Sequence, residues 1–345
     1  MKSSLIPVFI PHLGCPNDCV FCNQRRIAAP RAPAADEVRE LVTAGLKYAR
    51  MPQIAFYGGS FTAIPAELQE EYLACACEFV RRGEADSVRV STRPDCVDGE
   101  TLSRLAAYGV RTVELGAQSM DEGVLAAAKR GHGAEDTRRA ARLVKAAGME
   151  LVLQMMVGLP RSDREAELAT ARELAALKPA GVRIYPVCVI EDTELCDMYR
   201  GGEYEPLSVE RAADICADVL EIFEAEGIPV IRIGLNPTEE LSAGGAVAGA
   251  YHPAMGELVR SRLYLKRALR LLGETDGAGE AVISVQRGRA PLMRGQKSMN
   301  LRALAERFPQ MKISIIEAAG QNEPVRVRRI YESGSDKSKP GGADR

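Results

Sequence analysis

Short apolar runs alternate with longer amphipathic segments between residues 6 and 185. Six runs rich in Val, Ile and Leu have the length of buried strands, and they cover residues 6–10, 53–57, 87–92, 110–115, 151–157 and 182–185. Helical periodicity occurs between them, at residues 37–49, 66–82, 102–108, 121–129, 135–147 and 164–177. Strands that alternate with helices indicate a parallel sheet with right-handed crossovers. We therefore predict an α/β fold built as a (β/α)6 partial TIM barrel.

The remainder of the chain has a different pattern. It predicts a small C-terminal α/β extension, with helices at residues 254–272 and 299–307 and strands at 281–286, 312–317 and 325–331. The last residues are rich in Gly, Ser and Lys, a composition typical of disorder. We accordingly divide the chain into a barrel at residues 1–235, a small domain at 236–331 and a disordered tail at 332–345.

Unusual polar and glycine residues follow the predicted strands directly. They are Gly58-Gly59-Ser60, the segment 91–95, Gln118-Ser119, Gln154 and Tyr185-Pro186. Ligands of parallel sheets bind at the carboxyl ends of the strands. The pattern therefore predicts one shared binding edge.

Three cysteines, Cys15, Cys19 and Cys22, follow the first predicted strand with the spacing C-x-x-x-C-x-x-C. Thiolates are soft ligands that suit zinc or iron–sulfur clusters, and a site ligated entirely by protein takes four ligands. A zinc site completed by His12 is one interpretation. The other is a cubane cluster whose fourth iron binds a small molecule. The first residues carry no signal-peptide pattern, so we expect reduced thiols and a cytoplasmic location.

Composition and charge narrow the classes of function. The 345 residues are 46% hydrophobic and 27% charged, as in ordinary globular proteins. No apolar run approaches the ~20 residues that a membrane helix needs. The net charge is −2, but residues 257–345 contain 18 Lys and Arg against 10 Asp and Glu. This asymmetry favours a polyanionic partner at the C-terminal end, with a merely solvated basic surface as the alternative.

The cysteine spacing, with Phe21 before the third cysteine, resembles the radical S-adenosylmethionine (SAM) superfamily. The resemblance implies a [4Fe–4S] cluster on the three cysteines and SAM on the remaining iron. It further implies an electron donor such as a flavodoxin or ferredoxin. In that superfamily, reductive cleavage of SAM gives methionine and a 5′-deoxyadenosyl radical, which abstracts hydrogen from the substrate.

The same resemblance implies a set of residues in contact with SAM. They are Phe21, Gly58, Gly59, Ser60, Ser91, Gln118, Arg130 and Gln154. The glycine pair corresponds to the family motif whose backbone contacts the methionine amino group, and an arginine suits the SAM carboxylate. The position of Ser91 is often acidic in the family.

Several motifs resemble the catalytic subunit of Elongator more closely. They span about residues 5–235 and include Gly58-Gly59-Ser60-Phe61-Thr62, Thr92-Arg93-Pro94-Asp95, Gly116-Ala117-Gln118-Ser119, Arg130-Gly131-His132 and Ile184-Tyr185-Pro186. Full-length members modify the wobble uridine of tRNA and carry an acetyltransferase domain. After Pro237 we find no acetyl-CoA-binding loop, and no cysteine follows Cys216, so we do not expect acetyl-CoA chemistry.

Two questions of function stay open at this point. The hydrogen donor is either tRNA, bound in part by the basic C-terminal region, or a small metabolite. The alternative is a function without catalysis. The protein would then bind an iron–sulfur cluster or zinc on a degenerate barrel and act by binding or regulating a partner. The serine at position 91 is the feature that favours this alternative.

Overall fold

The structure is a computed structural model that describes residues 5–10, 15, 17–23, 31–235, 245–273 and 279–330. Its main sheet has seven strands, which lie side by side in chain order, and each is parallel to its neighbours. The first six strands are β1 (Leu5–Ile10), β2 (Gln53–Gly58), β3 (Ser87–Thr92), β4 (Val110–Gln118), β5 (Glu150–Val157) and β6 (Gly181–Pro186). The seventh is β8 (Val230–Ile233). The predicted α/β partial barrel is confirmed, with one strand more than the predicted six.

The strand β8 was missed because it is short. Its four residues, Val-Ile-Arg-Ile, are too few to separate a strand from the end of a helical pattern. A further short strand, β7 (Cys188–Ile190), pairs antiparallel with β9 (Ala246–Gly249) outside the main sheet.

Helices connect successive strands of the barrel. They are α1 (Ala35–Leu46), α2 (Ala66–Arg81), α3 (Gly99–Ala107), α4 (Glu122–Ala127), α5 (Ala134–Ala146), α6 (Arg164–Ala176), α7 (Glu194–Arg200) and α8 (Val209–Ala225). Five of them begin after an Asp, Ser or Thr whose side chain accepts a backbone N–H of the first turn, namely Asp98, Asp121, Asp163, Thr193 and Ser208. Such caps satisfy N–H groups that have no partner within the helix.

Alternation along the strands sorts apolar from polar side chains. In β3, Val88 and Val90 are fully buried, and Arg89 lies between them on the other face. In β4, Val113 and Leu115 flank Glu114 in the same way. Because successive side chains of a strand point to opposite faces, one face of the sheet is apolar and the other, which faces the inside of the barrel (the lumen), carries charged groups.

Gly58 ends β2 in a conformation that only glycine adopts readily. Its φ is +112°, and a Cβ at this position would lie 2.0 Å from the carbonyl oxygen of Ile10. The next amide, Gly59 N–H, donates to that same oxygen at 3.2 Å. The close approach of β1 and β2 therefore requires glycine at this position, whether or not it contacts a ligand.

We expect Gly58→Ala to destabilise the protein by roughly 3 kcal/mol, because the left-handed φ and the backbone clash act together. That cost corresponds to about 10 °C in the thermal midpoint of the first unit. The control is Gly109→Ala, since Gly109 has a φ of +69° but no atom within 4 Å of its Cβ position. It should lose only about 1–2 kcal/mol. Equal losses in both variants would contradict the role of the clash.

Glu167, in the first turn of α6, is a buried carboxyl group at the end of β5. It is 3% exposed and accepts from Gly158 N–H and the Ser162 hydroxyl, both at 2.7 Å. Burial raises the pKa of Glu167 from 4.5 to about 7 in spite of these two donors. The folded state thus holds its proton at pH values where the unfolded chain has released it.

This shift predicts a loss of stability between pH 4.5 and about 7, of roughly 3 kcal/mol when complete. Glu167→Gln removes the charge and keeps an acceptor for Gly158. We therefore expect the variant to match the wild type near pH 4 and to unfold at a higher temperature at pH 8. Glu165→Gln, on the same helix with a side chain that is 76% exposed, should leave the pH dependence unchanged. Thermal unfolding across this pH range measures the effect, and parallel curves for wild type and Glu167→Gln would contradict it.

The chain divides into two compact units, Met1–Gly256 and Glu257–Arg345. The predicted boundary at residue 235 stays a prediction. The strand β9 pairs with β7 and lies within the first unit. His12 and the tail 332–345 lie outside the described residues.

The second unit has a small core of its own. It contains α9 (Met255–Gly273, which begins two residues before the division), β10 (Gly279–Gln286), α10 (Ala290–Arg294), α11 (Met299–Arg307), β11 (Met311–Ala318) and β12 (Val325–Ile330). The strand β10 lies between the parallel β11 and the antiparallel β12. Its residues Ala281, Ile283 and Val285 are fully buried against helix residues such as Leu272 and Leu304. The predicted C-terminal α/β extension is thus present, with the short helix α10 in addition.

In the described part of the chain, no helix has both the length and the apolar character that crossing a bilayer requires.

Candidate functional site

The cysteine loop follows β1 at the carboxyl edge of the sheet. Cys19 is buried, Cys15 and Cys22 are half-buried, and all three are outside disulfide bonds. A turn closes the loop, because Cys22 N–H donates to the Cys19 carbonyl at 2.9 Å. The loop therefore presents three thiols at the edge where the sequence predicted ligand binding.

Backbone hydrogen bonds hold the loop against two later segments. Val20 N–H donates to the carbonyl of Ala128, at the end of α4, at 3.2 Å, and Leu195 N–H of α7 donates to the Val20 carbonyl at 2.8 Å. The Asn23 amide donates to the Glu191 carbonyl at 2.5 Å. These contacts explain why α4 and α7, far apart in sequence, both take part in building the site.

Arg130 connects the loop to the sheet. Its Nη1 donates to Cys19 Sγ at 3.3 Å and its Nη2 to the Gly116 carbonyl at 2.7 Å. The guanidinium lies 6.0 Å from the centroid of the Phe21 ring, at the outer limit of a cation–π contact. The predicted residues Phe21, Arg130 and Cys19 are thus brought together.

Arg93 holds the main chain of Arg130 in place. It is 4% exposed, forms a two-pronged ion pair with Asp95 at 2.9 and 3.0 Å, and donates to the main-chain carbonyl of Arg130. The Asn17 amide oxygen accepts from Arg93 Nη2 at 2.6 Å. Gly131 allows this arrangement, because a Cβ there would lie 2.5 Å from Asn17 Cγ.

Two buried polar groups beside the loop have unused hydrogen-bonding capacity. Arg130 Nε and both ring nitrogens of His132 make no hydrogen bond within the described residues. Burial, together with the charges of Arg130 and Arg93, lowers the pKa of His132 to about 4. His132 is therefore a neutral imidazole at physiological pH, and Arg130 is the cation of the site.

The residues of the glycine motif already have partners in the protein. Ser60 is 3% exposed; its hydroxyl pairs with Thr92 Oγ1 at 2.7 Å and accepts from Arg93 N–H at 3.2 Å. The serine thus joins the ends of β2 and β3. Its assignment as a SAM contact stays a prediction, like that of Gly58 and Gly59.

The two glutamines lie together and the serine stands apart from them. Gln154 Nε2 lies 3.5 Å from Gln118 Oε1, where an irregularity between Gly116 and Gln118 gives Gln118 a φ of +68°. Ser91 is half-buried and sits opposite Glu114 in the register of β3 and β4. Gln118 and Gln154 can therefore bind one ligand group together.

The donor chemistry of this edge fits an iron–sulfur cluster. Three cysteine sulfurs lie on one loop, and the Arg130 guanidinium donates to one of them. Sulfur ligands of this kind suit iron–sulfur clusters. Within the described ranges, no three His, Cys, Asp or Glu side chains are arranged around a common metal position. The structure thus shows the donors and what holds their loop, without a formed metal geometry.

Family models match most of the chain. A model of the radical SAM superfamily matches residues 9–174, and a model of the Radical_SAM C-terminal domain matches residues 179–265. This chain belongs to the radical SAM superfamily. Membership makes it an enzyme, and it implies a [4Fe–4S] cluster and SAM as the family cofactors.

Similar proteins point to one branch of the radical SAM superfamily. A tRNA uridine(34) acetyltransferase of Methanocaldococcus jannaschii is 30% identical over 60% of this chain and 41% of that protein. Elongator complex protein 3 of Danio rerio is 29% identical over 48% of this chain and 34% of that protein. The chain therefore spans less than half the length of these two relatives. The resemblance to the Elongator subunit, limited to its radical SAM part, is confirmed.

A solved structure has the same fold. The archaeal Methanocaldococcus infernus Elp3 with an N-terminal deletion aligns with a TM-score of 0.60 and 23% identity, over 77% of this chain and 63% of that chain. At this identity the comparison concerns the fold alone.

Two features of the structure were not predicted from the sequence. Asn17 and Arg93 connect the cysteine loop to Arg130, and a buried charge network in the lumen joins Arg89, Glu114 and Arg183. A signal for the network exists in the sequence, since each of these three charges stands between two apolar residues of its strand. A separate cavity of about 550 Å³, lined by residues such as Leu159 and Met198, contains no predicted site residue.

Proposed function

We propose that Cys15, Cys19 and Cys22 hold a [4Fe–4S] cluster and that the chain is a radical SAM enzyme acting on RNA. When bound, the cluster and SAM supply a 5′-deoxyadenosyl radical for hydrogen abstraction. The observation that carries this proposal is the contact of Arg130 with Cys19 Sγ, because it places a buried cation with an unused Nε–H beside the ligand loop.

The residues around the loop would bind and orient SAM. Arg130 suits the carboxylate of the methionine moiety, and the Phe21 ring covers the guanidinium. The Gly59 segment places backbone at the same edge, and the Gln118–Gln154 pair offers amide groups to polar atoms of SAM. Ser91, half-buried on β3, would contribute a hydroxyl.

The proposal of tRNA as substrate rests on two supports. The relatives include a tRNA uridine(34) acetyltransferase, and residues 257–345 carry 18 Lys and Arg against 10 Asp and Glu. In the second unit, Lys312, Arg326 and Arg328 lie on the face of the small sheet opposite its core. Contacts between such side chains and phosphates supply most of the non-specific affinity for nucleic acids. A flavodoxin or ferredoxin would supply the electron.

The test of the enzyme class is anaerobic reconstitution with iron and sulfide, followed by dithionite and SAM. We expect formation of 5′-deoxyadenosine and a SAM-dependent change in the EPR spectrum of the reduced cluster. Absence of both would reject the radical SAM activity for this chain.

The substrate needs a separate measurement. Deuterium should pass into 5′-deoxyadenosine from tRNA labelled in its uridines, and tRNA affinity should fall steeply with salt. Transfer of deuterium from a labelled metabolite pool, with no salt-dependent tRNA binding, would instead assign a small metabolite as substrate.

A further inference from the structure

Three charged side chains meet inside the barrel. Glu114 is 1% exposed, and Arg89 and Arg183 are each 7% exposed. One carboxylate oxygen, Glu114 Oε2, lies 3.4 Å from Arg89 Nη1 and 3.2 Å from Arg183 Nε. Two buried guanidinium groups therefore share a single carboxylate, which leaves an excess of positive charge.

Neighbouring residues increase this excess. Arg232 of β8 is the register partner of Arg183, so both side chains leave the sheet on the same face. The other acid on this face, Glu150, is exposed at the amino end of β5, where it accepts from the Thr112 hydroxyl. Within the described residues, the lumen at the level of Arg183 is thus cationic.

Unused hydrogen-bond donors surround the same point. Arg183 donates to Tyr57 Oη at 2.6 Å and to Tyr185 Oη at 3.2 Å, so each phenol oxygen is an acceptor and its O–H has no acceptor among the described residues. Arg183 Nε is buried and lies 3.2 Å from Glu114 Oε2 in the ion pair, so among the described residues the free donors at this point are the two phenol O–H groups. Burial raises the pKa of Tyr57 to about 12 and also raises that of Tyr185, so both phenols remain protonated donors.

These donors face the predicted binding edge. Tyr57 immediately precedes Gly58, and Tyr185 lies opposite Met156 near the end of β5. The Arg183 guanidinium also lies 5.3 Å from the centroid of the Tyr57 ring, so both tyrosines hold it in position. A group that enters from the carboxyl edge meets the two phenol O–H groups and the guanidinium that donates to their oxygens.

We infer that Tyr57, Arg183 and Tyr185 form a subsite for an oxyanion, a carboxylate or a phosphate group of the substrate. An oxyanion accepts hydrogen bonds without donating any, and its charge offsets the excess of arginine in the lumen. A buried cation without a counterion is unfavourable, so binding of an oxyanion here would lower the electrostatic cost of the buried arginines. This inference rests on the proposed radical SAM function, and it adds the chemistry by which the substrate is held.

The test compares wild-type protein with Tyr57→Phe/Tyr185→Phe, full chain, after reconstitution of the cluster. Thermal unfolding is followed against inorganic phosphate and, separately, against acetate, at constant ionic strength maintained with sodium chloride. A ligand that binds only the folded state raises the midpoint in a saturable way. We expect such a response in the wild type and at least a tenfold weaker apparent affinity in the double variant. The anion with the higher apparent affinity indicates whether the substrate group is a phosphate or a carboxylate.

Controls keep the result interpretable. Tyr48→Phe alters a side chain in a residue that is 92% exposed and should respond like the wild type. If the double variant does not fold, the two single variants should each lose part of the response. The inference is wrong if wild-type protein shows no saturable response to either anion, or if the phenylalanine variants respond equally. Formation of 5′-deoxyadenosine by the same wild-type preparation tests the radical SAM function separately, so either idea can fail without the other.

Discussion

Cys19→Ser should lower 5′-deoxyadenosine formation by at least about 100-fold. Loss of a metal ligand has a larger effect than the 10- to 100-fold loss typical of residues that only hydrogen-bond to a ligand. Cys19 is the buried member of the three cysteines and the one that Arg130 contacts. A serine hydroxyl is a poor ligand for an iron–sulfur cluster and cannot replace the soft thiolate. The iron content and the visible absorption of the reconstituted protein should fall together with activity.

Cys77→Ser is the matched control for this prediction. Cys77 is a half-buried cysteine on α2, where its neighbour Cys75 points to another part of the helix surface. This variant should keep wild-type iron content and activity. If Cys19→Ser retained full activity, or if Cys77→Ser lost iron to the same extent, the assignment of the cluster to the Cys15–Cys22 loop would be wrong.

Periodicity was sufficient to predict the barrel. The predicted strand at residues 53–57 corresponds to β2, and the predicted helix at 164–177 corresponds to α6, because each has a long apolar pattern and clear end signals. The Asp163 cap and the glycine after β2 are local features, and local features are visible in a sequence. The cysteine motif is local too, so its chemistry could be proposed before its surroundings were known.

The contacts between distant segments were beyond the reach of sequence alone. Asn17 meets Arg93 across 76 residues of chain, and nothing in the local pattern of either residue indicates the other. Ser60 was assigned to SAM by its position after the glycine pair, but the structure also gives it Thr92 as a hydrogen-bond partner. Such pairings depend on the register of β2 and β3. The alternating pattern excludes a shift of one residue, which would turn every side chain to the other face, but it leaves a shift of two residues open.

The lumen network shows the same limit in a different way. In the sequence, Arg89, Glu114 and Arg183 each stand between two apolar residues, but a charge in such a position fits either an edge strand or a buried pair. Only the parallel register, which places Ser91 opposite Glu114 and Gln154 opposite Arg183, brings the three side chains onto one face. The sequence therefore shows the three charges but not that Glu114 pairs with both arginines.

Arg130→Lys should reduce 5′-deoxyadenosine formation by about 10- to 100-fold, since a hydrogen bond to a charged group contributes roughly 1.5–3 kcal/mol. Lysine keeps the positive charge but loses the planar fork that contacts Cys19 Sγ and the Gly116 carbonyl at the same time. We expect most of the loss to appear as a higher KM for SAM, because the unused Nε–H is the donor assigned to the SAM carboxylate. Kinetics at several SAM concentrations, at constant dithionite, separate KM from kcat.

The lysine variant also shows whether Arg130 binds SAM or holds the cysteine loop in place. Arg93 contacts the main-chain carbonyl of Arg130, which the substitution leaves in place, so the loop should stay attached and the iron content should remain near that of the wild type. Arg111→Lys, at a surface pair with Asp86 where the arginine is 50% exposed, should change neither KM nor iron content. Loss of iron in Arg130→Lys without a change in KM would mean that Arg130 acts through the thiolate of Cys19. A raised KM with full iron content would mean that its fork and Nε serve the second cofactor, because the charge near Cys19 is the same in both proteins.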